Sequence, residues 1–161
     1  MKTKQLAALL ITCLLSVLSH TAFAQPFVIS ADGNEVTDQK TGLIWKRCSE
    51  GMSWNGSTCA GTVGTFTHEA ALTQASTQAA STGVAWRLPN VKELSSIADK
   101  TLSNPAIDAT AFPATPASAF WSASPYVGYS SVVWYVDFSD GGVGGNYRRY
   151  SYYVRLVRAG Q

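Results

Sequence analysis

The run Trp86-Arg87-Leu88-Pro89-Asn90-Val91-Lys92-Glu93-Leu94 constrains the fold more than any other part of this 161-residue chain. Asn90 is a strong N-cap residue. Glu93, three residues on, has the reach to return a hydrogen bond to the Asn90 backbone N–H, which completes a capping box. Pro89 keeps Leu88 out of the helical region, so the helix has one defined start. Leu94 and Ile97 join Val91 on one face of that helix, which is expected to end between Ala98 and Lys100. Arg87 is expected to make a structural hydrogen bond or ion pair at the helix start. Trp86 and Leu88 are expected in the core, as are Trp121 and Trp134.

The N-terminus reads as a leader. Lys2 and Lys4 precede an apolar run from Leu6 to Leu18, and Ala22-Phe23-Ala24 is a small-x-small cleavage site. Residues 1–24 are therefore expected to be a secretory signal peptide, too short for a spanning helix. A retained anchor is the weaker alternative because the cleavage site is good. Cys13 lies inside the apolar run, which argues against lipidation. Residues 25–161 suit a single domain with its own core.

Twelve basic residues become ten when Lys2 and Lys4 leave with the leader, against ten acidic ones. A neutral, exported chain is a poor match to nucleic acid, and the membrane enters only through export. The expected location is the bacterial periplasm, the cell surface or the medium. Cys48 and Cys59 remain, and an exported chain favours a disulfide between them. A metal pair is the alternative, without further Cys or His at useful spacing.

Short strands around turns are expected from Val28 to Trp45, then a loop from Cys48 to Gly64. Thr67 caps a helix running to Ser81, in which Ala71, Leu72, Ala75 and Ala79 fall at helical spacing and the alanines imply close packing. Pro105, Pro113, Pro116 and Pro125 punctuate the next segment. Phe120 to Ser124 is a strand. Val132 to Phe138 alternates in the way of a strand, Asp140 to Asn146 is a flexible glycine-rich turn, and Tyr150 to Arg158 closes the sheet. The class is α+β, two helices with a mainly antiparallel sheet and long loops.

Several segments line up in order with a known family. Asn34-Glu35-Val36-Thr37-Asp38 with Thr41-Gly42-Leu43-Ile44-Trp45 resembles its opening signature, and Trp86 to Leu94 its central one. Phe112-Pro113, Phe120-Trp121-Ser122, Val136 and Phe138 with Gly141, and Val154-Arg155-Leu156-Val157-Arg158 follow. The chain resembles the Lcl C-terminal domain family, a bacterial domain of unknown function named after a collagen-like adhesin. The resemblance implies a C-type-lectin-like fold and export. It also implies a binding role, since the namesake domain binds sulfated glycosaminoglycans as a trimer and some members are hypervariable binding proteins. The Arg-Leu-Pro-helix element is similar to that of the formylglycine-generating enzymes. The namesake's collagen-like repeat is absent here, so oligomerisation stays open. Fold kinship does not carry function with it.

Catalysis is not expected. His68 is the one histidine outside the leader and reads as a solvated first-turn residue. No serine sits in a nucleophile elbow, and no cofactor is expected. Calcium sites of lectins have no matching motif. Asp32, Asn34 and Asp38 supply hard oxygens, but a plain Asx turn fits them better than a metal site.

All seven tyrosines lie from Tyr126 onward, among Ser, Gly, Asn and four arginines. Such a mixture makes adaptable recognition surfaces. The expected binding residues are Tyr126, Tyr129, Asn146, Tyr147, Arg148, Arg149 and Tyr150, with the arginines pairing to sulfate or carboxylate. The expected ligand is a glycan or anionic polysaccharide. A surface protein is the alternative, and a structural role in an envelope assembly a third.

Overall fold

The computed structural model describes residues 26–160. The expected signal peptide lies outside them. In chain order the elements are β1 (Phe27–Ile29), β2 (Glu35–Asp38), β3 (Leu43–Lys46), β4 (Met52–Trp54), β5 (Cys59–Gly61), α1 (His68–Thr82), α2 (Val91–Ser96), β6 (Ala119–Pro125), β7 (Val132–Asp137), β8 (Gly142–Tyr147) and β9 (Val157–Ala159). Three sheets form, ordered β1-β2-β3-β9, β4-β5 and β6-β7-β8, and their strand pairings are antiparallel. The class is α+β.

The capping motif forms in full. The Glu93 N–H donates to Asn90 Oδ1 at 2.9 Å, and the Asn90 N–H donates to Glu93 Oε2 at 2.7 Å. The same carboxylate takes two bonds from the Arg87 guanidinium, at 2.8 and 2.7 Å. The motif is also stitched to its surroundings. The Arg87 backbone exchanges hydrogen bonds with Val157, the Pro89 carbonyl accepts from the Ala123 N–H, and the Val91 N–H donates to Ser124 Oγ. It therefore joins α2 to both β6 and β9. The helix ends earlier than expected, with Ile97 as its C-cap. Asp99 then accepts from Thr101 in an Asx turn, which offers the chain a local alternative to helix.

The core has two parts. Val36, Trp45, Leu94, Phe112, Phe120 and Val136 belong to one. Ala71, Trp86, Leu88, Trp121, Val133 and Leu156 belong to the other. Neighbouring residues of β6 split between them, Phe120 to one and Trp121 to the other, so the sheet is packed on both faces. α2 lies on the first side and α1 on the second, where Ala71 and Ala75 keep the helix close. Leu72 is exposed rather than inward. Trp134 is only half-buried rather than in the core.

The last residues close the molecule. Tyr152 pairs with Phe66, Tyr153 with Ala119 and Trp121, Val154 with Glu50, Leu156 with Lys46, and Val157 with Arg87. Only Val157–Ala159 count as a strand; the expected long closing strand is instead an extended seam that changes partner every one or two residues. Arg155 is fully buried at its centre. Its guanidinium donates to the Lys46 and Arg47 carbonyls, to Ser49 Oγ and to Thr115 Oγ1, and it lies over the Phe112 ring at 4.8 Å. Burial pushes its pKa down to about 9, with Glu50 opposing the shift, so it stays charged at neutral pH.

Two expected loops are strands. Within Cys48–Gly64, Asn55 Oδ1 accepts from the Ser57 and Thr58 N–H groups, and Gly56 has φ +95, which turns β4 back as β5. The Cys48–Cys59 disulfide ties this hairpin to the end of β3. Closing so short a loop stabilises by roughly 3 kcal/mol on the chain-entropy view. The glycine-rich segment is β8, paired with β7 along its whole length. A Cβ on Gly144 would stand 2.6 Å from the Tyr135 hydroxyl, and one on Gly145 would stand 2.6 Å from the Tyr126 ring. These glycines make room for aromatic rings laid across the strand.

Two outcomes test this account. Glu93→Ala removes the cap and the ion pair and should cost about 1.5 kcal/mol in urea unfolding, against about 0.5 for Arg87→Ala, which removes only a half-exposed ion pair. Equal losses would mean that the capping bond contributes nothing. Arg155→Ala removes the donor to two carbonyls and two hydroxyls and should cost about 4 kcal/mol. Arg155→Lys should recover only part, since an ammonium cannot span both sides.

Candidate functional site

The seven residues expected to bind ligand fall into four settings. Tyr126 stacks on Trp134 with ring centroids 4.4 Å apart and meets Tyr129 at 6.0 Å. This cluster sits on the β6–β7 connection, where the Tyr126 N–H donates to the Val132 carbonyl and the Val132 N–H to the Tyr129 carbonyl. Tyr126 is half-buried and Tyr129 exposed.

Asn146 is in β8, opposite Val133. Its amide donates to the Tyr152 hydroxyl and its Oδ1 accepts from the Tyr147 N–H at 2.8 Å. Its hydrogen-bonding groups are engaged within the protein.

Arg148 is also engaged. Its Nε donates to the Ser130 carbonyl at 2.9 Å, and Nη1 lies 3.1 Å from His68 Nδ1. The expectation of a solvated His68 is overturned: the ring is 2% exposed and packs edge-on against Trp121 at 5.6 Å. It turns inward because Trp121 and β6 provide a wall on that side of α1. Its Nε2 lies 3.1 Å from the Ser122 carbonyl. A carbonyl only accepts and a guanidinium only donates, so Nε2 carries the proton and Nδ1 the lone pair. The imidazole is neutral. Burial holds its pKa below the ordinary value, the Ser122 carbonyl pulls it back, and the Arg148 charge lowers it further.

Tyr147, Arg149 and Tyr150 form the fourth setting. The Arg149 guanidinium lies 4.5 Å from the Tyr147 ring centroid and 5.2 Å from that of Tyr150. The rings are 45% and 46% exposed. Among the described residues no carboxylate or carbonyl bonds the Arg149 guanidinium. Beside it a cleft of ≈ 440 Å³ is lined by Thr67, His68, Glu69, Leu72, Arg148 and Arg149. Leu72 gives it an apolar wall and Glu69 a negative one.

Of the residues considered for calcium, Asp32 and Asn34 bond each other and Asp38 lies apart. Asp32 accepts from Ser30 Oγ and from the Asn34 side chain and N–H, which draws its pKa down to about 2. Asp38, at the far end of β2, is buried and holds the next turn through the Lys40 N–H and Thr41 Oγ1. Among the described residues no group of three or more His, Cys, Asp or Glu is placed to hold a metal.

Two contributors, the inward-turned His68 and the exposed Leu72, are not legible in the sequence. His68 and Arg148 lie 80 positions apart, and no local pattern links them. Leu72 fits the inward stripe of α1 by spacing alone, and only the geometry puts it outside.

The architecture and this edge define a disulfide-bonded α+β domain whose exposed chemistry is aromatic and cationic. The chain belongs to the Lcl C-terminal domain family, whose model matches residues 34–158. Comparisons with curated proteins and with solved structures found no match.

The neutral His68 makes stability pH-dependent. Its folded-state pKa lies below the unfolded value of about 6.5, so its contribution is complete above that pH and is lost as pH falls through the folded value. Denaturant titrations should show stability declining from about pH 6.5 downward, and His68→Gln should flatten that part of the curve. A wild-type curve as flat as the variant's would contradict a buried neutral imidazole.

Proposed function

We propose that this protein is an exported, non-catalytic binding module that recognises an anionic polysaccharide through Tyr147, Arg149 and Tyr150. The observation that carries the reading is the state of Arg149: exposed, held between two half-exposed rings, and bonded to no acceptor among the described residues. The rings restrict the guanidinium before ligand arrives, which lowers the cost of ordering it. A sulfate or carboxylate accepts two parallel bonds from it, while the tyrosine faces offer area to sugar rings.

Export is supported by the leader-like residues 1–24 and by the disulfide, which persists in oxidising compartments. The non-catalytic reading is supported by His68, whose two ring nitrogens are both occupied, and by the absence of a free thiol at Cys48 and Cys59. A C-type-lectin-like architecture belongs to the same proposal. Its support is the chain's closure, with β9 returned beside β3 and both helices between them in sequence. A protein ligand is the second reading, favoured by Val127 and Tyr129, which are the two most exposed large hydrophobic residues of the described chain.

Calorimetry with a sulfated polysaccharide at low and at physiological salt tests the first reading. Binding should weaken as salt rises, and Arg149→Ala should weaken it about tenfold, the loss of one charge-assisted contact. Arg148→Ala should act chiefly on stability, since that side chain holds Ser130 and His68. Affinity indifferent to salt and to Arg149→Ala would overturn the polysaccharide reading.

A further inference from the structure

The two edges of the sheet β6-β7-β8 differ. The outer side of β6 is already paired: the Trp121 N–H donates to the Tyr153 carbonyl, the Tyr153 N–H to the Ala119 carbonyl, and the Ala123 N–H to the Pro89 carbonyl. On the outer side of β8 no strand of the described residues is paired. The Arg148 N–H donates to the Ser131 carbonyl at 2.9 Å, and these two residues continue the β7–β8 register. Antiparallel ladders alternate, so Gly142, Gly144 and Asn146 bond toward β7, and Val143, Gly145 and Tyr147 turn their backbone groups outward. The Tyr147 N–H is taken by Asn146 Oδ1 and its carbonyl by the Tyr150 N–H. The N–H and C=O of Val143 and Gly145 are left without partners among the described residues.

An edge of this kind is normally blunted by a charge, a proline or a bulge. Gly142–Tyr147 contains no charged residue and no proline, and its ladder with β7 is unbroken. The charges flank it instead, with exposed Asp140 just before the strand and Arg148 and Arg149 just after.

We propose that β8 pairs antiparallel with β8 of a second copy of this chain, about a two-fold axis between the two Gly144 residues. The free groups dictate the register. Val143 opposite Gly145 of the copy, and Gly145 opposite its Val143, makes four hydrogen bonds and uses all four free groups of each chain. A shift that places Tyr147 at a bonded position calls on groups already occupied. The same register sets Asp140 opposite Arg148 of the copy and next to its Arg149, on both sides of the axis, whereas a parallel pairing brings Asp140 against Asp140. It also sets Tyr147, 45% exposed, diagonally across from Val143, 44% exposed, in an aromatic to β-branched contact. Glycine at the axis leaves no side chain to hold the backbones apart. The product is a six-stranded sheet with an isologous interface. Its area lies at the small end of specific interfaces, so the dimer is a weak one.

The test is sedimentation of the purified protein from about 10 μM to about 1 mM, a range that brackets weak dimerisation, with amide hydrogen exchange measured at both ends. A monomer–dimer equilibrium is expected, with exchange at Val143 and Gly145 at least ~10-fold slower in the concentrated sample. Val143→Lys, at an exposed position, sets two lysines diagonally across the axis. It should abolish the dimer while leaving thermal unfolding of the dilute protein unchanged. Asp140→Lys should weaken association about tenfold. A monomer throughout the range, a different stoichiometry, a dimer that survives Val143→Lys, or a dimer in which those two amides stay unprotected would each overturn the proposal.

Discussion

The seam from Tyr152 to Ala159 is the constraint on which the rest of the molecule depends. It bonds in turn to the segment before α1, to β6, to the start of the disulfide hairpin, to the end of β3 and to the strand-like entry of α2. None of these parts touches the others through so many backbone bonds. Each contact spans a long stretch of sequence, so the loop-closure entropy is large and is offset only when the whole set forms together. Arg155 explains how a segment with so little regular pairing is held. Its guanidinium ties two separate chain segments, Lys46–Ser49 and Thr115, to the seam, by donating to carbonyls and hydroxyls that are buried beside it.

The seam also decides what is left free on the surface. Phe66 and Tyr152 bind each other through their backbones, which fixes the entry to α1 and with it the inward turn of His68. His68 then claims Arg148, and the carbonyl of Arg148 accepts from the His68 N–H at 3.0 Å. Two arginines adjacent in sequence thus have opposite fates. Arg148 is drawn into the frame, and Arg149, one residue past the end of the ladder, is left outside between Tyr147 and Tyr150. By composition the pair is one basic patch; the hydrogen bonds separate them.

The sequence was most legible where a residue's role is local. The Asn90–Glu93 capping box, the Thr67 cap and the Asx turn at Asp32 depend on atoms within a few positions, and each formed as its chemistry required. The α+β class followed from the spacing of helices and strands. What was lost was of two kinds. Asn55-Gly56 is a strong hairpin signal that a Gly- and Ser-rich context obscured. The glycines of β8 point to a flexible turn by themselves, because glycine lowers strand propensity. Their reason lies in Tyr135 and Tyr126, rings contributed by other parts of the chain. The burial of His68 and the exposure of Leu72 belong to the same kind, since they depend on which wall stands opposite α1. Most of the fold is therefore readable, whereas which of the expected binding residues are left free is not, because a side chain's freedom depends on partners that local sequence does not reveal.

The glycines of β8 join these observations. A strand that must lie beneath two aromatic rings has to give up its own side chains at Gly144 and Gly145, and a strand without side chains presents a flat, uncharged edge. Trp134, Tyr126 and Tyr135 then provide the bulk that β8 lacks, so the sheet keeps its packing while its last strand remains thin. The aromatic residues nearest the end of that strand, Tyr147 and Tyr150, have no glycine to cover and no core to enter. They stand half-exposed around Arg149. The packing solution that removes side chains from the middle of β8 is thus the reason that aromatic and cationic groups collect at its end. An open backbone edge and an exposed tyrosine–arginine cluster are two consequences of one arrangement of rings over glycine.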